Sequence, residues 1–202
     1  MRKVMTTIVC IALMLCIAMP AFAAVSGDEV KTYGTPFLIT NAGQGPGGKM
    51  ARLLVSQTGT LTLDTDYFYD SEPGAEGHGT LDDMDYSCLV VVIGSTDKGL
   101  GASGITIEDE LARLEKMVAH AKEIELPIVA VLLEKDKRSD ISTNANERCI
   151  DAICPNAEWM VVVADGNTDG RFDKLKEEYG IPLTVIDTTL DFTELAKLAF
   201  VK

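Results

Sequence analysis

Histidine is scarce in this 202-residue chain, which holds only His78 and His120. His78 stands in a glycine-rich stretch and His120 in a helical pattern, neither beside a candidate nucleophile. No Gly-x-Ser-x-Gly elbow occurs, so serine–histidine catalysis has no sequence footing. Basic residues are few: 18 Lys and Arg against 31 Asp and Glu, a formal charge of −13. Such acidity repels phosphate backbones and anionic lipid surfaces and disfavours nucleic-acid and electrostatic membrane partners. Beyond residue 23 only Cys88, Cys149 and Cys154 remain. Cys149 and Cys154 stand on one expected helix, where neither spacing nor side-chain direction suits a disulfide. Without further Cys or His at ligand spacing, a thiolate metal site is also disfavoured. No apolar run after the N-terminus approaches the ~18 residues of a membrane span.

The N-terminus carries Met1-Arg2-Lys3, an apolar run from Ile8 to Met19, and the small-x-small site Ala21-Phe22-Ala23. That order predicts a signal peptide over residues 1–23 and an exported protein, periplasmic or extracellular. Removing the two basic residues takes the formal charge from −13 to −15. Residues 24–35 read as a mobile polar lead-in, and residues 36–202 as a single α/β domain.

Six strands are expected, at residues 36–41, 66–69, 88–93, 127–133, 158–164 and 183–186. Cys88-Leu89-Val90-Val91-Val92-Ile93 is apolar at every position, the pattern of a strand covered on both faces. Between the strands, apolar residues recur at helical spacing; Ile107, Leu111, Leu114, Val118 and Ala121 mark the longest helix. This alternation predicts a three-layer, doubly wound, mostly parallel sheet of about five to six strands, Rossmann- or flavodoxin-like.

In such sheets ligands bind beyond the strand C-termini where the winding reverses. Two glycine-rich turns follow the first and third strands: Gly43-Gln44-Gly45-Pro46-Gly47-Gly48 and Lys98-Gly99-Leu100-Gly101-Ala102-Ser103-Gly104. Backbone N–H groups at a helix start suit an anion. The candidate ligand-binding residues are therefore Gln44, Gly45, Gly47, Gly48, Ser95, Lys98, Gly99, Gly101, Ser103, Gly104 and Arg138, with Lys98 and Arg138 as charge partners. Asp97 and Glu108 are the candidate acid and base. The competing reading is that the glycines serve only tight turns and close packing.

Both turns satisfy Gly-x-Gly-x-x-Gly, which shows how weakly that pattern selects; NAD and flavin are disfavoured in an exported protein. Gly43 to Lys49 also approaches a nucleotide-triphosphate loop, but Met50 stands where a hydroxyl must meet magnesium. Asp165, Asn167 and Asp169 before Gly170 match the start of a calcium loop, whereas Lys176 takes the place of its closing carboxylate. Calcium remains a candidate beside the simpler reading of a turn and helix cap. No other cofactor or metal is expected.

The stretch Gly99 to Ile105 with Glu108, Glu110 and Arg113, together with Arg138-Ser139-Asp140, Asp165 to Gly170, Gly180-Ile181-Pro182-Leu183 and Thr40 to Gln44, resembles an uncharacterised family of exported bacterial proteins. That family is classed as domain of unknown function 6305. The resemblance spans nearly all of the chain after residue 23 and implies export and an α/β core, without an established activity. Family members carry a histidine and a glycine-arginine-rich turn after the fourth strand, whereas this chain has Leu132-Leu133-Glu134 leading to Lys137-Arg138. The expected function is an exported domain binding a small anionic metabolite between the two glycine turns. The alternatives are an extracytoplasmic enzyme acting on a small organic acid and a non-catalytic module for a protein partner.

Overall fold

The computed structural model describes residues 25–202, so the expected signal peptide lies outside the described residues. The strands are β1 (Val25–Gly27), β2 (Phe37–Ala42), β3 (Tyr67–Tyr69), β4 (Leu89–Ile93), β5 (Ile128–Leu132), β6 (Trp159–Val163) and β7 (Leu183–Ile186). They form one sheet in the order β1-β7-β6-β5-β4-β2-β3. Neighbours run parallel, except that β1 pairs antiparallel with β7.

The apolar runs make this a buried sheet. Every residue of β4, β5 and β6 is buried, and each fully buried Val, Leu or Ile contributes about 1.5–3 kcal/mol. Because successive side chains leave opposite faces, one face collects Leu89, Val91 and Ile93 and the other Val90 and Val92. The first is covered by α3 (Ile107–Glu123), α4 (Ala145–Ile153) and α5 (Arg171–Tyr179), through Leu114, Ile150 and Phe172 among others. The second is covered by α1 (Gly47–Ser56) and α6 (Phe192–Ala199), through Leu54, Val55, Phe192 and Leu195. The sixth helix of the described residues, α2 (Asp97–Ala102), is a short one between β4 and α3.

Two elements differ from the sequence reading. The lead-in supplies a seventh strand, β1, whose Val25, Ser26 and Gly27 face Ile186, Val185 and Thr184. Three residues show no alternation of their own, so only the tertiary pairing defines the strand. Gly27 fits there because it has φ +90, and a Cβ on it would run into the Leu183 carbonyl. Asp28 then accepts from the Leu183 N–H at 2.8 Å and from Lys176 Nζ at 2.7 Å, contacts that hold its carboxyl below the ordinary range. The second difference is α2: most of the expected second glycine turn, Lys98 to Ala102, is helical.

The sheet edge near β1 depends on a buried polar relay. Trp159 Nε1 donates to Thr184 Oγ1 at 2.9 Å, and that hydroxyl donates to the Asp28 carbonyl at 3.2 Å. Thr184→Val leaves the indole N–H without an acceptor in the core. The expected loss is about 1–3 kcal/mol, read as a lower urea midpoint at unchanged slope.

Candidate functional site

The winding reverses between β2 and β4, whose following helices, α1 and α3, cover opposite faces. The turn after β2 lies at this point, as the sequence requires. Three of its N–H groups, however, already have acceptors. Gly43 donates to Glu110 Oε1 at 2.6 Å, Gly45 to the Gly94 carbonyl at 2.9 Å, and Gly48 to Asn41 Oδ1 at 2.8 Å. Glu110 has a fully buried side chain and is held in turn by Arg113, with Nη2 on Oε1 at 2.6 Å and Nε on Oε2 at 2.9 Å. Arg113 Nη2 also donates to the Asn41 carbonyl at 2.8 Å, joining α3 to the end of β2.

The glycines here allow close approach of backbone to backbone. Gly43 adopts φ +96, and a Cβ on Gly45 would strike the Gly94 carbonyl. A second carboxylate fills the space beneath. Glu134, just past β5, sets its Oε1 only 2.7 Å from where a Cβ on Gly94 would stand and 3.1 Å from that of Gly47. Burial pushes this carboxyl above its ordinary range, offset in part by Lys137 and the Gly47 N–H. Its Oε1 is buried without a well-aligned hydrogen bond. A side chain of the protein thus stands at the start of α1, where a helix dipole favours an anion.

The second turn is likewise engaged. Thr96 caps α2, its Oγ1 accepting from the Gly99 N–H at 3.0 Å. Ser103 donates to the Gly99 carbonyl at 3.1 Å and Gly104 to that of Gly101 at 3.2 Å. The two turns do meet: a Cβ on Gly99 would lie 3.9 Å from the Gln44 carbonyl oxygen, while Gln44 Nε2 donates to Glu72 Oε1 at 3.0 Å. Lys98, Gly101, Ser103 and Gly104 face solvent. Ser95 is fully buried, its N–H on Asn146 Oδ1 at 3.1 Å, and both its hydroxyl and Asn146 Nδ2 lack a partner in the protein.

Arg138 does not join the glycine turns with a free charge. Its Nε bonds Glu147 Oε1 at 2.8 Å, its Nη2 bonds Asp169 Oδ2 at 2.7 Å, and its Nη1 donates to the Gly166 carbonyl. The guanidinium also lies over the Phe172 ring at 5.3 Å, and so ties α4 and α5 to the loop after β6. Asp97 is exposed at the first turn of α2. Glu108 is exposed and pairs with Arg148 at 2.8 Å, which lowers its pKa. The calcium candidates diverge: Asp165 pairs with Lys135 at 2.6 Å, Asn167 Oδ1 accepts from the Phe172 N–H, and Asp169 binds Arg138. Among the described residues no three His, Cys, Asp or Glu side chains converge as metal ligands. Cys88, Cys149 and Cys154 are free and buried; burial pushes the last two thiols up to about 12, far from the thiolate form that reacts.

Open space is found at two places away from the turn itself. A cleft of about 510 Å³ runs between the loop after β3 and α3, with Pro73 and Leu81 on one wall and Ala112, Lys116, Met117 and His120 on the other. A smaller cavity, about 380 Å³, opens past the ends of β5, β6 and β7 and is lined by Glu134, Lys137, Asp165 and Asp187 among others. Two groups that the sequence reading missed as site residues emerge here, Glu134 and the face of α3. Glu134 lies just past a buried strand, β5, which pairs with β4, a position that carries meaning only once the strand order is known.

A family model described as a domain of unknown function, DUF6305, matches residues 34–200. No curated protein and no solved structure matches the chain.

The packing account of the glycines separates two substitutions. Gly45→Ala, directed into the Gly94 carbonyl, should lose about 1–3 kcal/mol by overpacking. Gly101→Ala, in a helix with nothing within 4 Å of the new Cβ, should be neutral or gain about 0.4–1 kcal/mol. Thermal unfolding of the two variants reads the difference.

Proposed function

The chain belongs to the DUF6305 family, and we propose that it is an exported binding domain for a small anionic metabolite. The N-terminal charged, apolar and small-residue order supports export. The strand order and the helices on both faces support the doubly wound, Rossmann- or flavodoxin-like plan. In that plan the ligand belongs near the reversal between β2 and β4. The Gly43, Gly45 and Gly48 amides of the first glycine turn are taken up by Glu110, Gly94 and Asn41, so that turn serves as the frame of the site. The ligand goes to the cleft alongside it.

One observation carries this reading: the cleft of about 510 Å³ joins an apolar floor, buried Leu81 and Met117, to cationic side chains on α3. Its volume falls within the roughly 300–1,000 Å³ usual for small-molecule sites. Arg113 lines the cleft and also fixes Glu110 and the β2 carbonyl, so the wall is anchored to the sheet. The acidic chain as a whole argues against a polyanionic macromolecule as the partner.

A second reading, an enzyme acting on a small organic acid, draws on Glu134. Its proton affinity is raised by burial and it lines the 380 Å³ cavity beside Lys137. A carboxyl poised nearer neutrality suits proton transfer better than exposed Asp97 or Glu108.

Thermal unfolding of residues 24–202 against a panel of carboxylates, amino acids and phosphate tests the binding reading. A ligand at a hundredfold over its dissociation constant adds about 2.7 kcal/mol, a rise of roughly 5–10 °C for a domain of this size. Ala112→Trp, at an exposed position on the cleft wall, should abolish the shift. A shift that survives Ala112→Trp and disappears in Glu134→Gln would transfer the site to the smaller cavity and favour the enzyme.

A further inference from the structure

The charges around the cleft can be counted one by one, and they narrow the ligand. Asp109, Arg113, Lys116 and His120 share the α3 wall of the cleft. Arg113 is committed twice over to the buried Glu110 carboxylate, so its charge is spent inside the protein. His120 Nε2 stands 3.7 Å from Asp82 Oδ1, beyond hydrogen-bond reach and with no other partner among the described residues, so a second anion at His120 would also meet that carboxylate. Asp109 accepts from the Thr106 N–H and hydroxyl at 2.9 and 2.7 Å, contacts that hold it ionised. Of the basic side chains on this wall, Lys116 alone forms no ion pair among the described residues. Net of these pairings, the wall offers one ammonium, with one carboxylate two helical turns away from it. That separation is about 10 Å along the axis.

Apart from Thr80, whose hydroxyl is engaged with Asp82 and Asp83, the remaining side chains are apolar. Leu81 and Met117 form a buried floor, and Ala112, Pro73 and Ala75 leave the sides small or non-polar. The thioether of Met117 adapts to flat or branched shapes.

We infer, resting on the binding reading above, that the cleft selects a monocarboxylate with an apolar body, its carboxylate at Lys116 and its body on Leu81 and Met117. Aryl-alkanoic and medium-chain alkanoic acids have this chemistry. A second negative charge on the ligand finds no cation left and meets Asp109, so dicarboxylates, tricarboxylates and phosphate are rejected. Amines lose the Lys116 contact and meet its repulsion. Neutral alcohols of the same shape keep the apolar contact and lose the ionic one.

Calorimetric titration of residues 24–202 with 3-phenylpropanoate and hexanoate, beside 3-phenylpropanol, 3-phenylpropylamine, succinate, citrate and phosphate, tests this selection. The two monocarboxylates should bind best, and the alcohol about tenfold more weakly, the size of one charge-assisted hydrogen bond. Lys116→Gln should bring the acids down to the alcohol and leave the alcohol unchanged, while Ala112→Trp should remove both. Tighter binding of succinate, citrate, phosphate or the amine, or acid binding indifferent to Lys116→Gln, would overturn the monocarboxylate while Ala112→Trp still reported on the cleft. Heat that Ala112→Trp leaves untouched, or none from any compound, would remove the cleft itself and the binding reading with it.

Discussion

A buried carboxylate, Glu110, governs how the carboxyl edge of this sheet is assembled. It accepts the Gly43 N–H and both guanidinium contacts of Arg113, whose remaining reach extends to the Asn41 carbonyl. A buried ion pair repays its desolvation only with good geometry and further hydrogen bonds, and breaking one from a single side costs roughly 3–5 kcal/mol. Here the further bonds come from the backbone, so the pair fixes the exit of β2 against α3. The turn that follows must then fold tightly over β4, which is why a glycine faces the Gly94 carbonyl at position 45. Glu134 fills the room that remains beneath α1. The anion-binding character of a glycine-rich helix start is thus present and met from within.

This changes what the glycine turns mean for function. An outside anion at the first turn would have to displace Glu134 and compete with Glu110, in a protein of formal charge −13 before any processing. The neighbouring cleft demands no such exchange. It has an apolar floor, a wall anchored through Arg113, and one unpaired ammonium. On the proposed binding reading, a ligand in the cleft would rest against the wall that Arg113 anchors to the end of β2, with the filled turn as part of the scaffold.

Much of the fold was legible in the sequence because its cause is local. The apolar runs of β4, β5 and β6 are buried on both faces, and the periodic apolar residues of α3 lie on the core as their spacing requires. α4 occupies residues 145–153, between Asn144 as its cap and the turn at Pro155. What the sequence withheld depends on contacts distant along the chain. β1 is a strand only because β7 offers an edge, and α2 forms because Thr96 caps it across the very glycines that suggested an open turn. The same holds for the site. Composition and spacing located the reversal, but not that Glu110 reaches Gly43 across 67 residues. Nor could they show Arg138 clamped between Glu147 and Asp169, which turns an apparent ligand partner into a brace.

The exchange rates of the Gly43, Gly45 and Gly48 amides, followed by nuclear magnetic resonance in the protein spanning residues 24–202, test the self-filled turn most directly. Slow exchange is expected at all three, opening only with the surrounding sheet, with resonances that phosphate does not move. Fast exchange at these glycines, with shifts that saturate as phosphate is added, would contradict that filling and return the ligand to the turn.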